Sequence, residues 1–71
     1  MSEPKRIHAI GGWKVDLQEI AAIEDFDTNK HIDESFVTLM LDGKPFALGL
    51  ITFEEYNDLV RAWEAWLNYV Q

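Results

Sequence analysis

Asp42-Gly43 separates two stretches in which apolar residues recur at every second position, and no other feature narrows the possible folds as much. Asp tolerates and Gly favours a positive φ, so the pair specifies a two-residue type I′ turn between antiparallel strands. The turn length sets the register. Leu41 is expected to face Lys44, Leu39 to face Phe46, Val37 to face Leu48, and Ser35 to face Leu50. Val37, Leu39, Leu41, Phe46, Leu48 and Leu50 then share a core face. Phe36, Thr38, Met40, Pro45, Ala47 and Gly49 share the other, which is unusually apolar for a solvated surface. Pro45 has no N–H to give to a ladder, which places its end of the strand at a sheet edge.

The stretch after the hairpin changes period. Thr52 with Glu55 three residues on is the pattern of a capping box, and Ile51 and Tyr56 sit at the positions of a hydrophobic staple. At 100° per residue, Tyr56, Leu59, Val60, Trp63, Trp66, Leu67 and Val70 fall within about 120° of arc. This predicts an amphipathic helix from Thr52 to Val70. Ala62 and Tyr69 fall on its shoulder beside Trp66. Before the hairpin, Arg6 to Ile10 suits a strand, and Gly11-Gly12 suits a turn. Trp13, Val15 and Leu17 line one face of a second strand. Gln18 to Ile20 reads as a short turn, followed by a strand from about Ala21 to Phe26. Asp27 to Glu34 is polar and reads as a mobile loop. The expected fold is α+β: an antiparallel meander of three to four strands packed against one C-terminal helix, with residues 1–5 as a flexible lead and 6–71 as a single domain.

Composition restricts function more than it identifies it. The chain has 71 residues, 48% of them hydrophobic, which suffices for one packed core and argues against general disorder. It has no cysteine, hence no disulfide framework and no thiolate ligand or nucleophile. No apolar run approaches the roughly 20 residues that span a bilayer, and nothing at the start resembles a secretory signal, so a cytoplasmic location is expected. Thirteen acids against six bases leave a net charge of −7, which argues against nucleic-acid and membrane-surface binding.

Candidate chemistry is sparse. His8 and His31 are the only histidines and share no ligand spacing, so no metal site is expected. The acid pairs lie in polar stretches or in a helix first turn, which solvation and capping explain. There is no phosphate loop and no nucleophile elbow. Catalytic residues and cofactors are therefore not expected, and the chain reads as no enzyme. Glu24, Asp25, Asp27, Asp33 and Glu34 make an acidic rim. Lys5, Arg6, Lys14 and Arg61 could gather around a small anion.

The nine aromatic residues exceed what one helix on a small sheet buries. Trp and Tyr are favoured in interfaces. A domain of this size without disulfides or metal often gains stability by oligomerising. Phe36, Met40, Ala47, Gly49, Trp66 and Tyr69 are thus the expected interface, most simply of a homodimer, with Gly49 opposite Phe36 leaving room for a partner's ring.

Gly12, Val15-Asp16-Leu17, Ile20, Ile23-Glu24, Val37-Thr38-Leu39, Asp42-Gly43-Lys44 and Glu54-Glu55 follow a rhythm that resembles the small strand-rich proteins of the flagellar FlbD-type family. The likeness runs from Gly12 to about Val60 and implies the fold more than an activity. In composition the chain is similar to small phage-encoded inhibitor proteins. The expected function is a non-enzymatic, acidic, self-associating protein-binding module, of the kind a phage or mobile element uses to inhibit a host or defence factor. One alternative is an oligomeric binder of a nucleotide-type ligand. Another is a DNA mimic built on the acidic rim.

Overall fold

The computed structural model describes residues 4–26 and 33–71. Five strands precede one helix: β1 (Ile7–Ile10), β2 (Trp13–Asp16), β3 (Ile20–Ile23), β4 (Glu34–Leu41), β5 (Lys44–Thr52) and α1 (Phe53–Val70). All pairings are antiparallel. The α+β class is as expected, but the strands form two sheets rather than one meander: a β1–β2 hairpin and a three-stranded sheet in the order β3-β4-β5. The division falls at a single 3-10 turn over Leu17–Glu19. Asp16 caps it by accepting a hydrogen bond from the Gln18 N–H at 3.0 Å. The chain bends there, so β3 leaves β2 and pairs with β4. Residues 1–3 of the expected lead and residues 27–32 of the expected loop, Asp27 and His31 among them, lie outside the described residues.

The Asp42-Gly43 turn has φ values of 50° and 77°, as a type I′ turn requires. Leu41 faces Lys44 and Leu39 faces Phe46, but beyond Thr38–Ala47 the expected register fails. Val37 faces Gly49, Phe36 faces Leu50 and Ser35 faces Ile51. One extra residue, Leu48, is accommodated on β5, and Gly49 takes a φ of 86°. This is a β-bulge. A Cβ added at Gly49 would meet no atom within 4 Å, so it is the backbone angle and not lack of space that calls for glycine. The bulge reverses the phase of everything after it. Leu50, expected in the core, is 49% exposed, and Ile51 is buried.

A second irregularity, between Ile20 and Ala22, acts the same way on β3. It lets Ile20 and Ile23 both reach the core despite a spacing that would put them on opposite faces of a regular strand. The strand ends at Ile23, short of the expected Phe26. Phe26 instead packs against the core and meets the rings of Phe53 and Tyr56 at 5.3 and 5.5 Å.

The inner face of the three-stranded sheet contributes Ile20, Val37, Leu39, Leu48 and Ile51 to the core; the hairpin and 3-10 turn contribute Ile10, Val15 and Leu17; α1 contributes Leu59. Trp13, expected beside Val15 and Leu17, is 48% exposed and lies edge-on to Phe46 at 5.0 Å. α1 touches the 3-10 turn, β1 and β5. Of the expected apolar stripe, Tyr56, Leu59, Trp63 and Trp66 reach the core, joined by Ala62 from the expected shoulder. Val70 does not; it is 52% exposed. The helix is thus turned toward Ala62, because its footing is the hairpin as well as the sheet. Trp63 and Trp66 each bury an indole Nε1 that finds no acceptor among the described residues.

Both halves of the capping box are present: the Glu55 N–H donates to Thr52 Oγ1 at 3.1 Å, and the Thr52 N–H donates to Glu55 Oε1 at 2.9 Å. Thr52→Ala is expected to destabilise the fold by about 0.5–2 kcal/mol. Urea denaturation followed by circular dichroism measures it, and an unshifted midpoint would show that the cap contributes nothing.

Candidate functional site

β4 alternates strictly: Ser35, Val37 and Leu39 are buried, and Phe36 and Met40 are exposed. Its outward residues meet those of β5 in successive rungs. Glu34 lies opposite Thr52, Phe36 opposite Leu50, Thr38 opposite Ala47, and Met40 opposite Pro45. Ala22 of β3 flanks Met40 on the other side. The outer face is therefore apolar over its central length. Phe36 is 72% exposed, Leu50 49% and Met40 37%, and Ala47 and Pro45 are also exposed. Directly opposed side chains on one face lie about 4.5–5.5 Å apart at Cβ, so these rungs form one continuous patch.

Phe36, Met40 and Ala47 thus lie on the surface expected of them. Gly49 does not face Phe36: the bulge places it opposite Val37, and Leu50 takes the place beside the Phe36 ring. Leu50 is the member of the patch that alternation alone misses, and the interior glycine is the signal that could have revealed it, since glycine inside a strand often marks a bulge. Trp66 and Tyr69 do not join this patch. α1 packs on the core side of the sheet, where Trp66 is half buried against the core and meets the Tyr69 ring at 5.6 Å. Trp66, expected both on the apolar stripe of the helix and in the interface, packs against the core.

The four described acids of the expected rim fall in two pairs, one just past β3 and one at the start of β4. β3 and β4 run antiparallel, so the chain past β3 heads toward the end of the sheet that carries Asp33 and Glu34, although Glu24 itself is level with Thr38 in the middle of β4. All four are exposed. The Glu24 N–H donates to the Thr38 carbonyl at 3.0 Å, continuing the ladder one residue past β3, and the Phe53 N–H donates to the Asp33 carbonyl at 3.1 Å. The sheet thus has an apolar middle and one acidic end. Asp27 lies outside the described residues.

The candidate cations are less collected. Arg6 forms a two-pronged pair with Asp16, Nε to Oδ1 and Nη2 to Oδ2, each at 2.8 Å. That hydrogen bonding holds the Asp16 carboxyl below its usual range, against an opposing effect of burial, and raises Arg6. A guanidinium so engaged is already matched to a carboxylate. Lys14 stands on β2 opposite Ala9, and Arg61 is exposed on α1. Lys5 lines a cleft between β1 and α1.

Among the described residues, no three His, Asp or Glu side chains gather as metal ligands would, and no helix is long and apolar enough to cross a membrane. His8 is half buried on β1 opposite Val15. The arrangement offers surface, edge and charge. No family model matches the chain, and neither does any curated protein or solved structure. The FlbD-type resemblance rests on the quoted residues alone.

Proposed function

We propose that this chain is a cytoplasmic, non-enzymatic protein-binding module that self-associates through the outer face of β4 and β5 and works by occupying a surface of its partner. The observation that carries the proposal is the Phe36–Leu50 rung: two large apolar side chains, 72% and 49% exposed, standing opposite each other in the middle of an apolar strip. Contiguous exposed apolar surface of this kind marks interaction sites. A two-fold contact would cover the same strip on both copies. The acidic end contributes steering toward a basic partner rather than affinity. A small, acidic protein with such a face suits stoichiometric inhibition of a host or defence factor by a phage or mobile element.

Phe36→Asp tests the proposal. The side chain points outward from β4, so the core is untouched. Sedimentation velocity at micromolar concentration should show a dimer for the unmodified protein and a monomer for the variant, with an unchanged circular dichroism spectrum. A monomeric unmodified protein would remove self-association, and a dimeric Phe36→Asp variant would place the contact elsewhere.

A further inference from the structure

We propose that the free edge of β1, with the cleft between it and α1, binds an extended acidic peptide segment as an added strand. The inference is independent of the outer-face dimer, since it concerns the other sheet. The Leu17 N–H donates to the Arg6 carbonyl at 2.8 Å. With the β1–β2 register, this makes Arg6–Leu17, His8–Val15 and Ile10–Trp13 the hydrogen-bonded pairs of the hairpin. Ile7 and Ala9 are the intervening, non-bonded positions. Their N–H and C=O groups point away from β2, and β1 has no second neighbour among the described residues. Such an edge is a template for another strand.

These positions open into a cleft of about 400 Å³ whose lining includes Lys5, Ile7, His8 and Ala9 on the strand side and Ala62 and Ala65 on the helix side. Each feature selects the occupant. Ile7 and Ala9 offer two donors and two acceptors at strand spacing, which only extended backbone matches. The facing helix presents methyl groups where longer side chains would close the space. The strand brings Lys5 and His8 to the cleft, and among the described residues its lining holds no carboxylate. Local charge therefore favours an acidic segment, opposite to the basic partner suited to the sheet's acidic end.

The probe is the blocked peptide acetyl-Val-Glu-Val-Glu-Val-amide, titrated into the full chain and followed by amide NMR and hydrogen exchange. The Ile7 and Ala9 amides should shift saturably. Their exchange should slow about tenfold at a peptide concentration about ten times its Kd, and His8 and Ile10 should change less. Replacing both Glu by Lys should weaken binding. Replacing the central Val by Pro, which removes a donor, should abolish it. Ala65→Trp fills the cleft from an exposed helix position; it should leave the spectrum folded and eliminate the shifts. Unperturbed Ile7 and Ala9 amides would overturn the proposal, as would equal binding of the Lys peptide or equal binding by Ala65→Trp. Protection of Ile7 and Ala9 that grows with protein concentration alone would also overturn it, by assigning the edge to a second copy. Shifts confined to Phe36 and Leu50 would leave the outer face as the only binding surface.

Discussion

Leu39→Ala is expected to destabilise the protein by about 2–5 kcal/mol, the range for emptying a fully buried leucine site. Leu39 is completely buried on the central strand of the three-stranded sheet. It faces Phe46 on one side and Ile23 on the other. Truncation removes contacts to both neighbouring strands and to the layer above. A core in a chain this short supplies only about 3–5 kcal/mol in total, so the variant should be largely unfolded at room temperature. Loss of amide dispersion in the proton–nitrogen NMR spectrum is the readout. A variant that keeps native dispersion and a near-native urea midpoint would mean that the β4 faces are reversed.

Ile51→Ala and Leu50→Ala form the second expectation. The straight two-residue hairpin and the bulged one predict opposite outcomes for them. With the bulge at Gly49, Ile51 is 1% exposed and Leu50 49%. Ile51 also lies under the β1–β2 turn: a Cβ added to Gly11 would sit 3.5 Å from Ile51 Cγ2. Ile51→Ala should therefore cost about 2–5 kcal/mol. Leu50→Ala should stay within about 0.5 kcal/mol in a monomer, the range of surface substitutions. If the outer face pairs with a second copy, Leu50→Ala should additionally lower the dimer's affinity without lowering the monomer's stability. Chemical denaturation of both variants at low concentration separates the cases. A large loss for Leu50 with little for Ile51 would exclude the bulge.

What was legible in the residues was local. Asp42-Gly43 determines a type I′ turn because few residues accept two successive positive φ angles. Thr52 and Glu55 determine where α1 begins because their side chains satisfy N–H groups that no helix can satisfy from within. The switch from period two to period 3.6 between them suffices for the α+β class. The exposed outer positions Phe36, Met40 and Ala47 follow from the same alternation, as far as the turn's register reaches.

The remainder depended on partners distant in sequence. The phase of a strand is a local property only until a residue is inserted, and whether Gly49 stays in register or bulges turns on which neighbour can be buried. Ile51 fits under the hairpin turn and Leu50 does not, and that fit involves Gly11, some forty positions away. The separation into two sheets likewise follows from a 3-10 turn whose cap, Asp16, is also held by Arg6 from the opposite strand at the open end of the hairpin. The helix turned Ala62 inward because β1 lies beneath it, and the same packing made the cleft at the β1 edge. Turns and caps are settled by side chains within a few residues of each other. Faces, sheet edges and clefts are settled by burial, and burial is known only once the whole chain has closed on itself.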